Sequence, residues 1–170
     1  MIEAGPGKPT LVGINTNHPN AIVSEAIAAG KVAELTGYTG LRREVKYGEN
    51  SRIDLLLEEQ GLPPCYVEVK NVTLYRRAHH AEFPDCRTER GAKHLREMAD
   101  MVRAGHRAVM VYCIQGGNPV DFALTPDLDR DYFEAFKIAK AAGVEAVALT
   151  CHVSADTIEV TGEVPVLDLT

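Results

Sequence analysis

Charged side chains interrupt two stretches that otherwise read as buried β-strands. Asp54 lies in Ser51-Arg52-Ile53-Asp54-Leu55-Leu56-Leu57, and Glu68 and Lys70 lie in Tyr66-Val67-Glu68-Val69-Lys70. Apolar and β-branched runs bounded by turn residues predict strands. Strands buried on both faces of an α/β sheet are usually near-continuous hydrophobic runs. An Asp in one, and a Glu and a Lys in the next, lose solvation free energy unless they are paired or hold a metal. Glu68 and Lys70 share a face, roughly 6.6 Å apart along the strand. Only Gln60-Gly61-Leu62-Pro63-Pro64 and its flanks separate the two runs, so they form an antiparallel hairpin that can bring Asp54 beside Glu68. Two carboxylates and an ammonium on one sheet face suit a metal-dependent phosphodiesterase. The pattern alone leaves a solvated Glu–Lys pair, worth under about 1 kcal/mol, equally open.

The rest of the chain alternates between helical and strand signals. Residues 1–10 are Pro/Gly-rich and are expected to form a mobile lead-in to a short strand over 10–14. Asn20 or Ser24 can cap a helix over 21–30 with Ile22, Ala26 and Ala29 inward, followed by a helical turn over 32–35. Strands are expected over 41–47, 52–58 and 66–73, then a loop over 74–84. Asp85 is the expected cap of a helix over 87–104, with Thr88, Ala92, Leu95, Met98, Ala99 and Val102 as its buried stripe. A dense apolar strand over 107–114 and a Gly/Pro/Asp-rich loop over 115–127 follow. Asp129 then caps a helix containing Tyr132, Phe136 and Ala139 that Gly143 closes. Strands over 144–150 and 157–160 complete a mixed sheet with helices on both faces.

A chain of 170 residues suits one domain, here 11–170. No apolar run is long enough to span a bilayer and the N-terminus lacks the regions of a signal peptide, so a cytoplasmic protein without membrane contact is expected. The four cysteines are scattered and include no Cys-x-x-Cys pair, which argues for reduced thiols over a zinc site. A net charge of −6 argues against wrapping nucleic acid with the whole surface but allows a local basic groove.

The αβββαβ order, with Asp54 on the second strand and Glu68-Val69-Lys70 on the third, resembles the restriction-endonuclease-like superfamily and its D…E-x-K motif. More closely, the chain is similar to the C-terminal nuclease-like domain of the sugar fermentation stimulation protein A family. The resemblance rests on Glu34-Leu35-Thr36-Gly37-Tyr38, Glu44-Val45-Lys46-Tyr47-Gly48, Ser51-Arg52-Ile53-Asp54, Tyr66 through Leu74, Phe83-Pro84-Asp85 and Thr88 through Leu95. It implies a nuclease-like fold associated with DNA or RNA. Family members usually begin with an OB-like domain, and none precedes residue 10 here, so a form without that domain is expected.

The resemblance also implies roles. Asp54 and Glu68 would hold Mg2+ or Mn2+ with the Val69 main-chain carbonyl, Glu25 on the first helix would add an acidic ligand, and Lys70 would assist the attacking water. The family motif takes in Arg90, Lys93 and His94. Arg87, Arg90 and His94 share one flank of the 87–104 helix, where they can meet phosphates. The bland reading of that helix is a solvated face with Lys93–Glu97 and Arg96–Asp100 pairs. Arg76 and Arg77 can track nucleic acid from the following loop. The expected activity is metal-dependent phosphodiester hydrolysis of DNA or RNA, with a non-cleaving DNA-binding regulatory module linked to sugar metabolism genes as the alternative. A homodimer is compatible with either.

Overall fold

The computed structural model describes residues 11–13, 15, 18–48 and 50–167. The lead-in expected over 1–10 lies outside them, as does Ile14 of the expected first strand. What remains of that strand is one antiparallel bridge, Val12 to Gly116.

The first helix, α1 (His18–Ala28), begins ahead of both expected caps. Pro19 occupies its first turn, where a missing N–H leaves nothing unsatisfied. Asn20 therefore lies inside the helix, with its side chain released from capping. Ile22, Val23, Ala26 and Ile27 are buried, whereas Ala29, expected inward, follows the helix end and is exposed. A short 3-10 turn, Ala33–Leu35, leads to the sheet.

Three strands then meander: β1 (Gly40–Tyr47), β2 (Ser51–Glu58) and β3 (Cys65–Val72), paired antiparallel. Two parallel strands, β6 (Arg107–Ile114) and β8 (Glu145–Val153), extend the sheet beyond β3, and antiparallel β9 (Ile158–Val164) closes it. The order across the sheet is β1-β2-β3-β6-β8-β9. One face packs on α1 through Leu55, Leu57, Val67, Val109 and Val111. The other packs on α2 (Glu89–Arg103) and α3 (Arg130–Ala142) through Ile53, Leu56, Met110, Tyr112 and Ile114. This is the mixed α/β layering read from the sequence.

Capping chemistry fixes the two helices. Thr88, and not Asp85, caps α2, accepting from Gly91 N. Asp129 caps α3 through Tyr132 N and also accepts from Thr88 N, so one carboxylate ties both helix starts together. Gly143 ends α3 at φ 104°, the left-handed conformation that favours glycine. Gly91 lets α2 approach α3, since a Cβ there would stand 3.0 Å from the Tyr132 ring.

The expected loops over 74–84 and 115–127 instead contain a small second sheet. It comprises β4 (Leu74–Arg77), β5 (His80–Phe83) and β7 (Asp121–Leu124), in the order β4-β5-β7. Arg76 on β4 forms a two-pronged pair with buried Glu82 on β5. No helix of the described residues is long and apolar enough to cross a membrane.

Candidate active site

The sheet forks where the charged residues lie. The β2–β3 ladder runs from Leu57↔Cys65 to Leu55↔Val67 and then stops; the next pair in that register would be Asp54 and Glu68. On the other side of β2, the ladder has Arg43↔Leu55 and Val45↔Ile53 but lacks Glu44↔Asp54. Glu44 has a positive φ of 54°, which accompanies a change of face. Leu55 and Leu57 point to the α1 layer, whereas Ile53 points to the α2–α3 layer. Asp54 sits at that reversal, with its carboxylate in the slot between the separating strands. Its Oδ2 accepts the Val69 N–H at 2.8 Å, taking the place of a ladder partner, and its Oδ1 accepts from Asn20 Nδ2 at 2.8 Å. Val69, beyond the last β2–β3 pair, thus turns its N–H to this slot.

Glu68 is 3% exposed. Its Oε1 accepts from Lys70 Nζ at 2.8 Å and stands 2.5 Å from His94 Nδ1. Its Oε2 is buried with no hydrogen-bond partner among the described residues. Burial, then the negative charge of Glu68, raises the Asp54 carboxyl above its usual range, against the Val69 and Asn20 hydrogen bonds and the charge of Lys70. Burial pushes Glu68 upward as well, but the His94 hydrogen bond and the charge and hydrogen bond of Lys70 oppose it, and Glu68 is held below the usual range. The two carboxyls are thus driven apart in acidity, a condition common at catalytic sites.

These donors suit a small, hard divalent ion. Mg2+ keeps several waters and takes few protein oxygens. The Asp54 carboxylate, Glu68 Oε2 and the Val69 carbonyl are oxygen donors, and an unpaired buried carboxylate oxygen calls for a partner. Among the described residues no three His, Cys, Asp or Glu side chains gather as a ready metal cage. Among the described residues, the expected ligand Glu25 is hydrogen-bonded to neither Asp54 nor Glu68. It is exposed and lines a groove against Ile158 and Glu159 at the β9 edge, because α1 turns Asn20, and not Glu25, toward Asp54. All four cysteines are free, as the scattered spacing suggested.

The expected phosphate-binding residues divide. His94 is buried against Glu68 and is not a surface contact. Arg76 is engaged by Glu82 and Asp127, so it braces the small sheet. Arg87 is exposed in a recess with Arg130 and the carboxylates of Glu89, Asp129, Asp131 and Glu134, a setting that is acidic on balance. Arg90 is exposed beside the site, with Nε 3.4 Å from His94 Nε2. Lys93 lies 3.6 Å from Glu97, and Arg77 is exposed on β4. Arg96 reaches Asp131 of α3 at 2.6 Å in place of Asp100.

Several residues escaped the sequence reading. Tyr47 is buried edge-on to His94, and its hydroxyl has no partner among the described residues. Glu97, read as a surface residue, is mostly buried with neither oxygen hydrogen-bonded among those residues. Burial, then the charges of Glu68, Glu97 and Asp54, raises the Tyr47 hydroxyl well above its ordinary value. On the hairpin, Lys46 and Arg52 stand directly opposite each other, both exposed, and line a recess of about 310 Å³ with Asn50. Facing like charges destabilise a strand pair. The signal available in the sequence was the alternation Val45-Lys46-Tyr47 against Ser51-Arg52-Ile53.

Comparison with known proteins gives a consistent outcome. Residues 17–157 match the family model described as "Sugar fermentation stimulation protein RE domain". A sugar fermentation stimulation protein homolog of Azorhizobium caulinodans is 61% identical over 168 residues, 98% of this chain and 71% of that relative. A homolog from Paramagnetospirillum magneticum is 56% identical over 160 residues, 94% of this chain and 67% of the relative. Among solved structures, Pyrococcus furiosus SfsA in complex with Ca2+ superposes with a TM-score of 0.85 at 28% identity. The match covers 98% of this chain and 76% of that one.

Proposed function

Because this chain belongs to the sugar fermentation stimulation protein family, we propose that its forked sheet is the active centre of a divalent-metal-dependent nuclease acting on DNA or RNA. One observation carries the reading: where β2 and β3 part, Asp54 lies near enough to Glu68 to feel its charge, Lys70 pairs with Glu68, and a buried Glu68 oxygen is left unpaired among the described residues. The structural relative was solved with Ca2+, which supports a hard cation; Mg2+ or Mn2+ is the proposed working ion. Asp54, Glu68 Oε2 and the Val69 carbonyl would hold it. When bound, such an ion supplies Lewis-acid stabilisation of phosphoryl charge and makes water more acidic.

The chain's own residues supply the rest. Asn20 and the Val69 N–H fix the Asp54 carboxylate, so no rotamer search precedes cation capture. Lys70 sits on the Glu68 face as a cationic donor able to orient the attacking water and to stabilise charge on the phosphate. Attack by the water oxygen forms the new P–O bond as the bond to the leaving sugar oxygen breaks. Exposed Arg90 and Lys93 of α2 and exposed Lys46 and Arg52 of the β1–β2 hairpin would hold neighbouring phosphates of the strand.

The test is cleavage of single- and double-stranded DNA and RNA with and without Mg2+ or Mn2+. Metal-dependent cleavage that falls at least about a hundredfold in Asp54→Ala and in Lys70→Ala is the expected result. Equal cleavage in wild type and both variants would sink the assignment. Retention of nucleic acid without cleavage would identify a binding module instead.

A further inference from the structure

We propose that His94 is a positioning residue, which fixes Glu68 so that one carboxylate oxygen is reserved for a hard divalent cation. The proposal rests on the metal-site reading above. Three observations support it. His94 is 3% exposed, and its Nδ1 lies 2.5 Å from Glu68 Oε1. Arg90, one helical turn earlier on the same face of α2, places Nε 3.4 Å from His94 Nε2. Glu68 Oε1 also receives the Lys70 ammonium, whereas Oε2 receives nothing among the described residues.

The direction of these bonds follows from the donors. A guanidinium only donates, so His94 Nε2 must accept, and the ring proton is left on Nδ1, pointing at Glu68. A carboxylate oxygen offers about two lone-pair sites. His94 and Lys70 fill both on Oε1, so the rotation that would exchange the two oxygens breaks two charge-assisted bonds. The edge of Tyr47 closes on the imidazole at 6.4 Å between ring centroids and restricts its tilt. The chain Arg90–His94–Glu68 thus sets both the tautomer and the carboxylate orientation. Outer partners of this kind change metal affinity by about 10–100-fold when removed.

The experiment titrates Mn2+ into the full chain by calorimetry, alongside melting curves and nitrogen–proton spectra of the metal-free protein. His94→Leu keeps the buried volume and is expected to lower Mn2+ affinity about 10–100-fold. His94→Asn, whose amide can replace the Nδ1–H donor, is expected to recover most of that loss. The spectra of wild type are expected to show the ring proton on Nδ1, strongly downfield and displaced in Glu68→Gln. Should His94→Leu fail to fold, exposed Arg90→Ala serves instead, and it is expected to shift the proton toward Nε2 and weaken Mn2+ binding several-fold. Wild-type uptake of Mn2+ that is unchanged in these variants, or a ring proton resident on Nε2 in wild type, overturns the assignment alone. Absence of Mn2+ uptake by wild type defeats the metal-site reading and this inference with it, and a proton found on Nδ1 would locate that failure at the metal.

Discussion

At the fork of the sheet, the same burial acts on two carboxylates with opposite results because their donors differ. Asp54 has two hydrogen-bond donors that do not offset its burial and the charge of Glu68; Glu68 has His94 and Lys70, which do. A raised folded-state pKa contributes stability below the unfolded value, near 3.9 for Asp, and loses it as pH rises through the folded value. A lowered one contributes above the unfolded value, near 4.3 for Glu, and loses it as pH falls through the folded value. At neutral pH the fold therefore gains from an ionised Glu68 and loses from an ionised Asp54. Glu68→Gln leaves buried His94 and Lys70 without their anion and should cost about 3 kcal/mol. Asp54→Asn removes one hydrogen bond and an unfavourable charge together, so its cost should stay near or below about 1 kcal/mol. Urea denaturation at neutral pH measures both, and equal costs would contradict the assigned electrostatics.

Elements repeat this division between local and distant causes. The small β4-β5-β7 sheet depends on the Arg76–Glu82 pair, in which Glu82 is buried and Arg76 partly exposed. Glu82→Gln should destabilise the protein by about 1–2 kcal/mol and lower its melting temperature by a few degrees, without a comparable loss in cleavage. The β1–β2 hairpin makes a different prediction. If Lys46 and Arg52 contact phosphates, each alanine variant should reduce the salt slope of nucleic-acid binding by about 1, with little change in melting. Shift assays over a salt series read this directly. Eight-residue strands such as β2, β3 and β6 were legible because an apolar run is a local signal. The four-residue strands were not, since β5 pairs with β7 some forty positions later and no periodicity records that. Asp54, Glu68 and Lys70 stood out as charges within apolar runs. His94 was misplaced because a helical wheel shows which flank a residue occupies but not that Glu68 waits opposite it. Arg76 was misread for a similar reason, one of its partners being Asp127, far along the chain. The direction of Glu25 was not legible because it depends on how α1 is rotated against the sheet by Ile22, Val23, Ala26 and Ile27.

Across the whole molecule, the site lies toward the carboxyl end of β3, beside the point where antiparallel β2 enters, and it links the α1 layer to the α2 layer. Asn20 ties α1 to Asp54 on one face, and His94 ties α2 to Glu68 on the other. An ion between these carboxylates would draw on both layers and would relieve the Glu68 repulsion that, after burial, raises the Asp54 carboxyl. Any ligand that binds only the folded state stabilises it by RT ln(1 + [L]/Kd), about 2.7 kcal/mol at a hundredfold excess over Kd. Mn2+ should therefore raise the melting temperature by several degrees near neutral pH, reversibly on chelation. Metal capture needs ionised ligands. With its pKa raised, Asp54 takes up a proton before an ordinary carboxyl does as pH falls, so the Mn2+-induced shift should shrink toward acid while the metal-free protein remains folded. In Asp54→Asn the shift should be small at every pH. Melting curves with Mn2+ and with chelator, taken across the acid range for both proteins, decide the matter: a shift independent of pH and preserved in Asp54→Asn would place the cation elsewhere on the molecule.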